Sequence, residues 1–117
     1  MGSICIILRR PPYGSVDAAE AIRHALGGVT EEMETQLVLV DGGVAAARRG
    51  QNTGSSGYAS IEDGIKDCID MGVDVSVDIE SLKSAGMEPG DLVDGAKTAD
   101  KPGIAAIVKD AATVMIF

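Results

Sequence analysis

Three sets of residues in this chain could do chemistry. Arg9 and Arg10 stand where an apolar run, Ile4 to Leu8, gives way to Pro11, Pro12, Tyr13, Gly14 and Ser15. Beside the amino end of a helix, guanidinium groups add to the free backbone N–H groups and the helix dipole, which is how an anion is held. The plainer alternative is that both arginines are solvated or paired with nearby acids. Asp41 and Asp78 each follow an apolar strand pattern, so both can face the crevice at the carboxyl ends of a sheet, where ligands of open α/β folds bind. Such a carboxylate pair does acid/base or magnesium chemistry in phosphate-accepting receiver domains. That pattern needs acids at the end of the first strand and a lysine at the end of the last. Here the first strand ends in arginines, so capping and turn formation are the competing roles for both aspartates.

The third set is sulfur. A cysteine in redox or sulfur-transfer work needs exposure and nearby positive charge to stabilise its thiolate. Cys5 lies inside the first apolar run, and Cys68 sits on a helical segment between Asp67 and Asp70. Both settings raise a thiol pKa, which leaves Cys68 as the weak catalytic candidate. With no CxxC spacing and one distant histidine, His24, the cysteines make no metal set. His24 follows Glu20 by four residues and has no nucleophile beside it, as expected of a helix-surface histidine. Gly42 and Gly43 precede a helical stretch, but neither GxGxxG nor GxxxxGKS/T is present, and a tight turn accounts for them.

The elements that must position these groups follow from periodicity. Ile4 to Leu8 is continuously apolar, as in a strand covered on both faces of a parallel sheet. The prolines and Gly14 force a turn, and Ser15 is placed to cap a helix whose apolar stripe is Val16, Ala19, Ile22 and Leu26, running on to Gly27 and Gly28. The polar stretch from Val29 to Thr35, with Glu31, Glu32 and Glu34, reads as a solvated connection. Leu37 to Val40 predicts a second strand, Asp41 to Gly43 a turn, and Val44 to Arg49 a short helix. Gly50 to Gly57 has the composition of a mobile loop. From Ala59 a helical period returns, with Ile61, Ile65, Cys68 and Ile69 on one face and Gly72 closing it. Val73, Val75 and Val77 alternate with Asp74, Ser76 and Asp78, the pattern of a half-covered strand. A helix from Ile79 to Ala85 stops at Gly86, and Met87 to Gly103 is mostly loop with a short strand at Leu92 and Val93. Ile104 to Lys109 predicts a last helix with Ile104, Ile107 and Val108 inward, and Val114 to Phe117 a last strand. Strands alternating with helices imply an α/β fold, a parallel sheet with helices on both faces joined by right-handed crossovers.

Composition narrows the function classes. At 117 residues the chain is read as one domain, residues 1–117, able to bury roughly 65 % of its unfolded surface. Its formal net charge of -8 opposes attraction to phosphate backbones and anionic lipid, and three aromatic residues offer no platform for stacking bases. Direct nucleic-acid binding and membrane association are not expected. No apolar run approaches the ~20 residues of a membrane span, and Met1 to Leu8 lacks the features of a signal peptide. The expected location is the cytoplasm, with both cysteines reduced.

Pro12, Tyr13, Gly14 and Ser15 with the helix to Leu26, then Val40, Asp41, Gly42 and Val44 with Gly50 and Gln51, then the Val75 to Asp78 strand with Ser81, Leu82, Ala85, Gly86 and Met87, and finally Val114 to Phe117, together resemble the DsrE/DsrF family, most closely its DsrF and TusC branch. The resemblance spans nearly the whole chain, through motifs that are degenerate singly and specific in order and spacing. It implies a three-layer α/β/α sandwich with a mainly parallel five-stranded sheet. It also implies trimers or hexamers, homo-oligomeric or built with DsrE- and DsrH-like subunits, in sulfur relays for sulfur oxidation or tRNA 2-thiolation. The sulfur-carrying subunits of that family hold a cysteine at the end of the strand that here runs from Val73 to Val77, and this chain has Asp78 there. A carboxylate carries no persulfide, and the DsrF and TusC subunits likewise lack the cysteine.

The expectation is therefore a non-catalytic subunit with no cofactor and no metal. Its contact residues are expected at Arg9, Arg10, Tyr13, Gly14, Ser15, Asp41, Asp78 and Phe117. The alternatives are a sulfurtransferase using Cys68 or Cys5, and a small-anion binding module at Arg9 and Arg10.

Overall fold

A computed structural model describes residues 2–51 and 60–117. In chain order the elements are β1 (Ser3–Leu8), α1 (Asp17–Thr30), β2 (Glu34–Leu39), a 3-10 helix (Asp41–Ala47), α2 (Ile61–Asp70), β3 (Asp74–Asp78), α3 (Ile79–Ser84), a 3-10 turn (Pro89–Asp91), β4 (Lys97–Ala99), α4 (Lys101–Asp110) and β5 (Thr113–Ile116). The strands form one all-parallel sheet in the order β4-β3-β2-β1-β5, with helices on both sides. The α/β class, the parallel sheet and the five strands are as expected.

β1 is the middle of this arrangement. Its apolar run pairs with β2 on one side, Ile6 against Leu37, and with β5 on the other, Ile6 against Met115. Successive side chains leave a strand on opposite faces. Ile4, Ile6 and Leu8 join the main core with Leu37, Leu39, Val75 and Val77, while the fully buried Cys5 takes the other face. α1 and α2 lie against each other over the core face, and at Gly64 a Cβ would come within 2.9 Å of Ile22 Cδ1. The chain between β4 and β5 passes back over the other face as α4.

Several expectations shift in register. α1 buries Ala18, Ala21, Ile22, Ala25 and Gly28, whereas Val16 and Ala19 are exposed and Leu26 is half-buried. Small residues let the helix lie close to the sheet, so its buried stripe follows alanines rather than the larger side chains. Ser15 does not cap α1: the capping position is Val16, which makes no side-chain hydrogen bond, and Ser15 Oγ accepts from the Asp17 N–H at 3.3 Å. The expected solvated connection is shorter, because α1 runs to Thr30 and Glu34 already begins β2. β3 is covered on both faces rather than one, since Ser76 and Asp78 are buried with the valines. The strand expected at Leu92 and Val93 is an isolated antiparallel bridge between Leu92 and Arg48; the fourth strand is Lys97–Ala99. Ile104, Ile107 and Val108 do turn toward the sheet but stay half-buried, and α4 buries no residue. Of the loop expected from Gly50 to Gly57, residues 52–57 lie outside the described residues, as does Ala59.

The 3-10 helix fits only because Gly43 lacks a side chain. A Cβ there would sit 2.2 Å from the Leu8 carbonyl oxygen, a backbone atom that the β1–β2 ladder holds in place. Gly27 faces open space on α1. Gly43→Ala is therefore expected to lower unfolding free energy by about 3 kcal/mol, and Gly27→Ala to raise it by about 0.5–1 kcal/mol, both read from urea denaturation.

Candidate functional site

The parallel topology brings the carboxyl ends of β1, β2 and β3 to one edge of the sheet. Val40 follows β2 and turns through Asp41, whose φ of 49° is in the left-handed region that aspartate tolerates better than most residues. Its N–H donates to Ser81 Oγ at 2.8 Å. Ser81 Oγ in turn donates to Asp78 Oδ2 at 2.6 Å, and the Ser81 N–H reaches the same oxygen at 3.2 Å, so that Asp78 caps α3. One serine thus ties the ends of β2 and β3 together. Asp41, Gly42, Asp78, Glu80, Ser81, Ser84, Ala85 and Lys101 line a cavity of about 440 Å³ at this edge.

The two aspartates singled out in the sequence meet here, but the arginines do not join them. Pro11 packs on Gly42, within 3.2 Å of where a Cβ would stand. Arg9 is exposed and uses its N–H to donate to the Phe117 carbonyl at 2.9 Å. Arg10 leans the other way, Nε 3.7 Å from Asp17 Oδ2 at the start of α1, an exposed pair of small energetic weight. Gly14, with φ 99°, and Ser15 form the turn into α1.

Tyr13 has a different role from a loop-tip contact. Its hydroxyl donates to Gln51 Oε1 at 2.8 Å and accepts from the Ile61 N–H at 3.2 Å. Gln51 Nε2 donates to the carbonyls of Ala46 and Arg48, both at 2.9 Å, and the Gln51 N–H donates to Glu62 Oε1 at 2.8 Å. This network joins the β1 loop, the end of the 3-10 helix and the start of α2. Sequence reasoning missed Glu62 because its partner, Gln51, is eleven residues away in sequence. The Gln51 N–H, then Lys66 at 3.2 Å, hold its carboxyl below the ordinary carboxylate range.

His24 places Nδ1 2.8 Å from the Glu20 carbonyl oxygen and its ring 5.2 Å from that of Phe117. Phe117 donates its N–H to the Ile7 carbonyl at 2.8 Å, extending the β5 ladder. Both cysteines are fully buried. Burial raises the Cys5 thiol, and burial, then the Asp67 charge, pushes Cys68 up to about 11. Neither is positioned to be a thiolate near neutrality. Among the described residues no three His, Cys, Asp or Glu side chains are grouped as a metal cage.

With that geometry in hand, the DsrE/DsrF-like family pattern matches residues 2–117. The chain belongs to this family. A protein from Methanocaldococcus jannaschii is 32 % identical over 113 residues, covering 96 % of each chain. The intracellular sulfur oxidation protein DsrF of Allochromatium vinosum is 31 % identical over 87 residues, 74 % of this chain and 64 % of its own length. Among solved structures, the ychN protein from E. coli superposes with a TM-score of 0.90 at 24 % identity over 100 % of both chains. A protein from Methanobacterium thermoautotrophicum gives 0.71 at 15 %, covering 98 % of this chain and 99 % of its own. At these identities the superpositions speak for the fold.

Two outcomes follow from the titrating groups. Cys68 is expected to resist a thiol-reactive disulfide reagent at pH 8 in the folded chain and to react promptly in denaturant; fast native labelling would contradict its burial. Glu62, with its folded pKa lowered, contributes stability that is complete above its ordinary value of 4.5 and is lost as pH falls through the lowered one. Urea midpoints of wild type and Glu62→Gln should therefore differ most near neutrality and converge toward acid.

Proposed function

We propose that the chain is a non-catalytic subunit of a sulfur-relay complex, a single domain that supports persulfide transfer by a cysteine-bearing relative in sulfur oxidation or tRNA 2-thiolation. Accepting sulfane sulfur requires an acceptor thiolate to attack the outer sulfur of a donor persulfide, with the donor thiolate leaving. The observation that carries the reading is that this chain has no thiol fit for that attack. Cys5 and Cys68 are its two cysteines, both are sealed in the core, and burial raises the pKa of each. Asp78 stands at the end of β3, where the sulfur-carrying relatives have their cysteine, and its carboxylate is committed to Ser81. The relationship to the sulfur oxidation protein of Allochromatium vinosum supports the pathway class.

Assembly with copies of itself or with DsrE- and DsrH-like partners is part of the proposal. β5 is an edge strand with Ile116 62 % and Val114 39 % exposed, and α4, which packs against β3 and β4, buries nothing. Such an open apolar margin is what an oligomer covers. Arg9, Arg10, Gly14, Ser15 and Phe117 lie at or beside the β1 and β5 ends and are assigned to the same contact region. Among the described residues no helix is long and apolar enough to cross a membrane, in keeping with a cytoplasmic role.

The competing reading, a sulfurtransferase using Cys68, is opposed by that residue's burial. The test is persulfide loading from a cysteine desulfurase together with the native mass of the complex drawn from its own cells. The expected result is no sulfane sulfur on this chain, transfer unchanged by Cys68→Ser, and a larger assembly containing a relative with cysteine at the Asp78 position. Loading that Cys68→Ser abolishes would overturn the proposal.

A further inference from the structure

The sheet ends at β4 on one side and at β5 on the other, and the two edges are built differently. β4 is three residues long, opens with Lys97, which pairs with Asp74 at 3.6 Å, and is soon followed by Pro102. Shortness, a lysine and a nearby proline are how natural sheets keep an edge from pairing with another chain. β5 carries neither charge nor proline: its sequence is Thr-Val-Met-Ile, with Val114 and Ile116 exposed. The register fixes which of its backbone groups are open. Phe117 donates its N–H to the Ile7 carbonyl and accepts from the Arg9 N–H, so its groups face β1. The facing direction alternates along a strand, so the groups of Met115 also face β1, while the N–H and C=O of Val114 and Ile116 point away from the sheet.

We propose that β5 pairs with β5 of a second copy of this chain, antiparallel about a two-fold axis at Met115, joining two five-stranded sheets into one. The spacing is self-complementary. With Val114 opposite Ile116 of the second copy, and Ile116 opposite its Val114, both become hydrogen-bonded pairs that exchange N–H and C=O in each direction. Met115 meets Met115 as the closer, non-bonded pair on the axis, and no open group of Val114 or Ile116 is left over. On the face opposite the main core, Ile116 then stands between Ile7 of its own chain and Val114 of the copy, a row of branched apolar side chains of the kind that stabilises adjacent strands. The ends match in charge as well. The antiparallel arrangement turns the Arg9 end of one copy toward the Asp110 end of the other; both residues are exposed, and neither is in an ion pair among the described residues. A contact of this isologous kind closes on itself, so it yields assemblies with an even number of copies. The inference rests on the assembly part of the proposed function and narrows it to one edge and one partner.

The test is sedimentation equilibrium of the purified full chain, with no relative and no sulfur donor present. Wild type is expected to form a dimer or a larger even-numbered assembly. Val114→Pro removes an outward-facing donor and leaves the ladder to β1 intact, the one setting in which a strand accepts proline; it is expected to weaken self-association at least about ten-fold. Should that variant fail to fold, Ile116→Lys, at a side chain already facing solvent, is expected to weaken association likewise and decides in its place. Met115→Cys, on the axis, is expected to form an interchain disulfide under mild oxidation, whereas wild type and Thr98→Cys at the β4 edge are not. A monomer at every concentration, a purely trimeric mass, association unchanged in the folded variants, or cross-linking through Thr98→Cys in place of Met115→Cys would each overturn the pairing. A chain that is monomeric alone yet joins a cysteine-bearing relative would overturn this pairing and leave the relay reading standing; a dimer that loads sulfane sulfur on Cys68 would do the reverse.

Discussion

The structure depends on β1 being paired on both edges and covered on both faces. A strand in that position can expose almost no polar side chain, which is why its sequence is Ile-Cys-Ile-Ile-Leu, and its backbone groups are consumed by β2 and β5. Once β1 runs parallel to β2, and β2 to β3, all three must turn at the same edge. The residues there, Pro11, Asp41 and Asp78, are brought together by topology before any side chain acts. Gly43 then lets the chain after β2 press against the Leu8 carbonyl, and Ser81 draws the β2 and β3 ends into one unit.

In this chain that edge is built around a carboxylate. The sulfur atoms, by contrast, are treated as small core hydrophobes: Cys5 on one face of β1 and Cys68 on the inner side of α2. The chain keeps the fold of the DsrE/DsrF-like family while placing its own thiols out of reach.

The sequence made the central elements legible where burial leaves a simple mark. Ile4 to Leu8, Leu37 to Val40, and the Ile61, Ile65, Cys68 stripe read directly as strand, strand and helix. What escaped depended on distant partners. Lys97, Thr98 and Ala99 have no strand pattern of their own and are recruited by pairing with Ser76, Val77 and Asp78. Asp78 looked solvent-facing from alternation alone, because the helix that returns over that face comes twenty-odd residues later. The Asp41 and Asp78 meeting was visible from strand ends, but Ser81 as their link, and the Tyr13, Gln51 and Glu62 network, required the turns to be known. The alanine stripe of α1 was masked by Val16, which is exposed, and Leu26, which is half-buried.

The two sides of the sheet are not equally finished. α1 and α2 bury continuous stripes into the main core, whereas α4 buries no residue and β5 holds on through one ladder of four residue pairs. Opening free energy follows buried contact, so α4 and β5 form the segment with the lowest local stability in the isolated chain. A surface that covers them would raise that local stability without altering the core. Association would then tighten the very strand that flanks β1, coupling assembly to the rigidity of the sheet edge where Asp41 and Asp78 meet.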